Sequence, residues 1–111
     1  MSNLIPEANA LFAIWVNIFF DNLGAILVRI GFPDDVFGNL DRLRSIYVEA
    51  NAVAKNPATR TKAAVQARKE ARKVFEKALR QAIAEYLTYN HKVTNEDREN
   101  LGLPIQNTII P

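Results

Sequence analysis

Between Ala8 and Ile30 the chain runs through 23 residues of which 17 are apolar, including the large aromatics Phe12, Trp15, Phe19 and Phe20. The strongly polar side chains in that stretch are Asn9, Asn17, Asp21, Asn22 and Arg29. An ordinary surface helix carries one apolar stripe and one polar face. A helix of this composition has to be covered on most of its sides. At about 1.5 Å per residue it is also long enough, at roughly 35 Å, to cross a bilayer. Asp21 near its middle would cost about 2.5–3.5 kcal/mol there, and the segments that follow carry apolar faces in need of a partner. The stretch is therefore expected to be a core helix, with a membrane-associated helix as the weaker reading.

A chain of 111 residues is expected to build one core rather than two. It has no Cys, which removes disulfides, thiol nucleophiles, thiolate metal sites and iron–sulfur ligation. Charge is unevenly placed: from Lys55 to Arg80 there are nine Lys or Arg against Glu70 and Glu76. The residues Met1 to Glu7 lack the basic start of a secretory signal, so a cytoplasmic or particle-associated protein is expected.

The first helix is predicted over about 6–30, with Pro6 and Glu7 suited to a first turn and Gly31 ending it. Phe32-Pro33-Asp34-Asp35 reads as a short connection whose acids cap and charge the start of a second helix over 34–55. There Val36, Leu40, Leu43, Tyr47, Ala50 and Ala54 recur at helical spacing, widened by Phe37, Ile46 and Val53. Asn56-Pro57 marks a boundary. A third helix follows over 59–90, with an alanine seam from Ala64 to Ala82, Phe75 and Leu79 beside it, and charged pairs Arg72 with Glu76 and Glu76 with Arg80 on the far side. Thr94 with Asp97 three residues on predicts a cap for a short helix over 95–101, ended by Gly102.

Short connections make neighbouring helices antiparallel. The expected fold is all-α: an up-down-up three-helix bundle over 1–103 with a short fourth helix, then an extended tail or linker over 104–111. Register counting sets Trp15 level with Ala67 and the alanine run Ala50, Ala52, Ala54, Ala63, Ala64 and Ala71, so that large rings meet small side chains. The same counting brings Gly24 near Gly38 and predicts a close backbone crossing. Leu101, Leu103 and Ile105 are expected to cover Tyr86, Leu87 and Tyr89.

The run Asn56-Pro57-Ala58-Thr59-Arg60-Thr61-Lys62, the segments Glu70-Ala71-Arg72-Lys73 and Leu79-Arg80, and above all Val93-Thr94-Asn95-Glu96-Asp97-Arg98-Glu99-Asn100-Leu101-Gly102-Leu103-Pro104 resemble a group of uncharacterised bacterial proteins. Their N-terminal helical-bundle domain ends in a similar "VT, DR, LGLP" segment. The resemblance covers most of Asn56 to Thr108, and the first helix matches in pattern alone. In longer members a proline-rich stretch leads toward what resembles a β-sandwich module, and this chain departs from them by stopping at Pro111. The resemblance implies a helical domain and no activity.

Enzyme chemistry has few places to reside. The single His91 sits where a cation suits a helix C-terminus, and Asp34-Asp35 and Glu96-Asp97 sit where helix starts favour acids. No residue is nominated as catalytic, cofactor-binding or metal-ligating, and no small-molecule substrate is expected. The leading expectation is a non-enzymatic structural or protein-interaction module, with a protein partner or a second copy as its ligand. The residues Ile14, Val16 and Phe20 fall off the main core stripe and are the expected contact, with Ile109 and Ile110 in a tail that could add to a sheet edge. The alternative is polyanion or nucleic-acid binding through Arg68, Lys69, Arg72, Lys73, Lys77 and Arg80. That ranks second, because these charges look distributed over more than one face and no aromatic is interleaved for base stacking.

Overall fold

A computed structural model describes residues 5–104. Four helices account for most of them: α1 (Asn9–Ile30), α2 (Asp34–Lys55), α3 (Lys62–Tyr86) and α4 (Asn95–Leu101). The protein is all-α, with the helices in the expected order. The tail residues Ile105, Ile109 and Ile110 lie outside the described residues. The sequence predicts a single bundle over 1–103, and the contacts group the chain into two compact units. One is built on α1 together with the segment from Asn90 onward, the other on α2 and α3 over Pro33–Tyr89.

The unit of α2 and α3 is an antiparallel helix pair. Ala50 and Ala64 line one groove between the helices, and Leu40 and Ala82 line another at the opposite end. Between these ends Tyr47 and Phe75 meet with ring centroids 6.4 Å apart, and Arg68 donates to Asn51 Oδ1 at 3.3 Å. Leu40, Leu43, Tyr47, Ala54, Phe75, Leu79, Ala82 and Ile83 are buried, so the centre of the α2 stripe holds, with Val36, Phe37 and Ala50 half-buried, while Ile46 and Val53, expected to widen it, are exposed. On α3 the buried seam turns toward Phe75 and Leu79, leaving Val74 and Ala67 exposed. Burial raises the Tyr47 phenol above its usual value, against the opposing pull of Arg72 and Arg68.

The ends of α3 differ from expectation for local reasons. It begins at Lys62, later than 59, because the chain before it is tied into a turn: Asn56 Oδ1 accepts from Ala58 N, and the Thr59 hydroxyl donates to Val53 O at 2.8 Å. Thr61 is then the cap, its hydroxyl accepting from Ala64 N. It stops at Tyr86, short of Asn90, because the Ile83 carbonyl accepts from Leu87 N, Thr88 N and the Thr88 hydroxyl together. That convergence ends the regular ladder. At the other boundaries, α1 begins at Asn9 rather than near Pro6, and Pro33 is the cap residue of α2, with both Asp34 and Asp35 inside its first turn.

In the other unit α4 runs back along α1. Asn90 Nδ2 donates at 3.0 Å to the carbonyl of Ile30, the last residue of α1, which Gly31 closes at φ 73°. Arg29 Nη2 reaches both Asp97 carboxylate oxygens at 2.8 Å while its Nη1 donates to Lys92 O at 3.0 Å. Asp97 also accepts from Thr94 N, and Thr94 Oγ1 from Asp97 N, which completes the expected capping box. Burial alone would raise the Asp97 carboxyl, but the hydrogen bonds from Arg29 and Thr94 outweigh it and hold the group below its usual value. At the far end of α4, Gly102 takes φ 76° and its backbone N–H closes the helix.

At Gly38, where the sequence suggests a close crossing, an added Cβ would meet nothing within 4 Å. The alanine run expected to receive the aromatic rings is largely open, with Ala52, Ala63 and Ala67 exposed and Ala54 its one buried member. Trp15 stacks on Phe19 at a centroid distance of 5.1 Å and lies against the backbone of Gly102. Of the residues expected under Leu101, Leu103 and Ile105, Leu87 is buried and Tyr86 half-buried, while Tyr89 is 81% exposed.

Candidate interaction surfaces

Two surfaces stand out, one on each unit. On α1 the buried side chains Phe12, Val16, Phe19, Phe20, Leu23 and Ile30 occupy one side of the helix. Of the three residues expected to contact a partner, Val16 and Phe20 are therefore interior, 3% and 4% exposed. Ile14 is 58% exposed. Its neighbours on that side are Leu11, Ile18 and Val28, exposed by 58%, 49% and 94%.

These residues form a pattern. Leu11, Ile14, Ile18, Asp21, Ala25 and Val28 follow one another at intervals of three, four, three, four and three, and every one of them is exposed. That is the heptad spacing of a helix seam. The flanking row on one side, Ala10, Asn17 and Gly24, is exposed as well. The polar groups on this face are Asn17 and Asp21, neither with a hydrogen-bond partner among the described residues, and at its edge Asn22, which donates to Ile18 O, and Arg29, which is turned to Asp97. α1 is also long and apolar enough to cross a membrane by length and composition, with a mean hydropathy of 1.9.

The second surface is on α3. At 3.6 residues per turn, Lys62, Lys69, Lys73, Lys77 and Arg80 fall within an arc of about 80°, and all five are exposed. Arg68 and Arg72, nominated with them from the sequence, point elsewhere. Both are half-buried: Arg68 donates to Asn51 and Arg72 pairs with Glu76. Arg80 reaches the same Glu76 at 3.4 Å. The cations of this helix are sorted, Arg68 and Arg72 half-buried beside α2 and the other five exposed along an outer ridge, where Arg80 also pairs with Glu76.

Between α2 and α3 lie two open grooves. One, of about 310 Å³, is lined by Asp35, Leu40, Ala82, Glu85 and Tyr86 among others; the second, of about 360 Å³, by Ile46, Ala50, Val53, Ala64 and Ala67 with Ser45 and Glu49 at its edge. Among the described residues no three His, Cys, Asp or Glu converge as metal ligands. His91 is exposed on the connection between α3 and α4, five residues beyond the end of α3. The acids Asp34, Asp35, Glu96 and Asp97 all lie in first turns of helices.

The exposed seam on α1 was not separable in the sequence, because its residues are as apolar as the buried ones beside them. The ridge was more legible: the spacing of the lysines alone sets the arc, and the engagement of Arg68 and Arg72 was the missing part. Comparison with protein-family models, with curated proteins and with solved structures finds no match to this chain.

Proposed function

We propose that this protein is a non-enzymatic helical module whose work is to dock a protein partner on the outer face of α1. The observation that carries the reading is the exposure of Leu11, Ile14, Ile18 and Val28 at heptad spacing on one side of a single helix. A contiguous apolar face of this kind leaves ordered water against hydrocarbon, and covering it returns roughly 25 cal/mol for each Å² removed from water. Isolated surface leucines need no explanation; Leu11, Ile14 and Ile18 in one row over two turns, continued through Asp21 and Ala25 to Val28, do.

The reading is tested with a photo-reactive amino acid placed at Ile14 in cells that make the protein, with the same probe at the exposed Val48 of α2 as the control. A protein adduct from position 14 and none from position 48 supports docking on α1. A lipid adduct from position 14, or no adduct there, refutes it.

A second reading rests on the ridge of Lys62, Lys69, Lys73, Lys77 and Arg80. Binding of a polyanion along it would proceed by release of condensed counterions and would weaken steeply with salt. The segregation of Arg68 and Arg72 away from the ridge favours this reading, since the remaining cations then form one continuous line.

A further inference from the structure

The exposed seam of α1 is self-complementary in one orientation. We infer that its partner is a second copy of this chain, with the two α1 helices packed antiparallel along Leu11, Ile14, Ile18, Asp21, Ala25 and Val28, which deepens and rests on the reading that α1 is the docking face.

The polar residues decide the orientation. In a parallel pair Asp21 would face Asp21 of the other copy, two carboxylates in an apolar seam, which is unfavourable. An antiparallel pair with its two-fold axis between positions 19 and 20 sets Asp21 opposite Ile18 of the second copy and beside its Asn17. The Asn17 carboxamide is a donor, the Asp21 carboxylate an acceptor, and both are exposed and unpartnered among the described residues. The symmetry makes this contact twice. A hydrogen bond to an ionised acceptor is roughly twice as strong as one between neutral groups, so the seam satisfies the two polar groups that a hydrocarbon surface would leave bare.

The apolar ends match by size in the same register. Leu11 falls opposite Val28 and Ile14 opposite Ala25, with Gly24 leaving room beside it. Each copy therefore presents a bulky N-terminal half to a small C-terminal half of the other. The hydrocarbon of a bilayer offers neither the donor for Asp21 nor any reason for the size gradient, and Asp21 at the centre of the face counts against it. One helix pair is a small interface, so association is weak, with a dissociation constant on the order of tens of micromolar.

The chain has no Cys, which makes single-cysteine variants clean reporters. Leu11→Cys and Val28→Cys, both at exposed positions, are mixed under mild oxidation at high protein concentration. Antiparallel pairing places positions 11 and 28 of different copies opposite each other, whereas position 11 lies about 25 Å from its own counterpart. The expected result is a mixed 11–28 disulfide at least fivefold above either variant alone, with sedimentation of the unmodified chain rising toward twice the monomer mass and Ile18→Glu holding it at one. Because Ile18 is exposed, the Ile18→Glu variant should keep the helix content of the parent by circular dichroism. Preferential 11–11 coupling, or a monomer at all concentrations, overturns the proposal. Should the photo-adduct from position 14 still form with a different protein in that case, α1 remains a docking face and self-pairing alone falls; a lipid adduct removes both.

Discussion

The indole nitrogen of Trp15 lies 2.8 Å from the point that a Cβ on Gly102 would occupy. Two demands meet at that glycine. It must take φ 76° to close α4, and it must leave space for a ring on α1. A left-handed residue with a side chain costs about 1–2 kcal/mol, and here the added carbon also collides with the pyrrole side of the Trp15 indole, whose ring is held by stacking on Phe19.

Gly102→Ala is accordingly expected to destabilise the protein by about 2 kcal/mol or more, read as a fall in the urea midpoint. In a Trp15→Phe background the steric part should return while the backbone part remains, so the two changes will be non-additive. Additive effects would show that the indole and the glycine are not coupled.

The ties between α1 and α4 should carry a pH signature. Asp97 is held below the usual carboxylate value in the folded protein, while the unfolded chain titrates near pH 3.9, to about a unit. A depressed folded pKa means the unfolded state takes up the proton first. The contribution is therefore fully present above the unfolded value and is lost as pH falls through the folded one. Urea midpoints measured from pH 7 to pH 2 should show a constant gap between the parent and Asp97→Asn above about pH 5, closing in strong acid. A gap that does not change with pH would mean the carboxylate's charge is irrelevant to the contact with Arg29.

Gly38 should be an easy gain. It lies within α2 with open space around it and no left-handed backbone, so its only effect is the entropy of an unnecessary glycine. Gly38→Ala is expected to stabilise by about 0.5–1 kcal/mol, seen as a higher melting temperature. A loss of stability would show that something packs close against Gly38.

The α3 ridge makes a quantitative claim about salt. Should the chain bind nucleic acid, Lys69→Gln with Lys73→Gln should reduce the slope of log K against log salt by about 1.5, with no change in thermal stability because both lysines are exposed. Arg68→Gln, whose side chain is occupied with Asn51, should leave the slope unchanged. Equal effects from the two substitutions would dissolve the distinction between ridge and engaged cations.

Much of this architecture was written locally. Gly31 and Gly102 as helix stops, Thr94 with Asp97 as a capping box, the break after Lys55 and the buried stripe of Leu40, Leu43 and Tyr47 each depend on residues within a turn or two of one another, and local geometry is what spacing encodes. The two ends of α3 went astray because their determinants are side-chain bonds to particular carbonyls, from Thr59 to Val53 and from Thr88 to Ile83, which periodicity does not register.

The sequence by itself determined that α1 would be a helix too apolar to stand alone, that the chain would be all-α, and that the cations would gather on α3. Tertiary structure alone decided which side of α1 is buried. A helix apolar on nearly every side carries no contrast between its inner and outer faces, so Phe20 and Ile14 are equivalent until something packs against one of them. The pairing of Arg29 with Asp97 and of Trp15 with Gly102 was likewise invisible, because each joins residues far apart in the chain whose own local roles, helix-end charge and helix stop, were already satisfied without it.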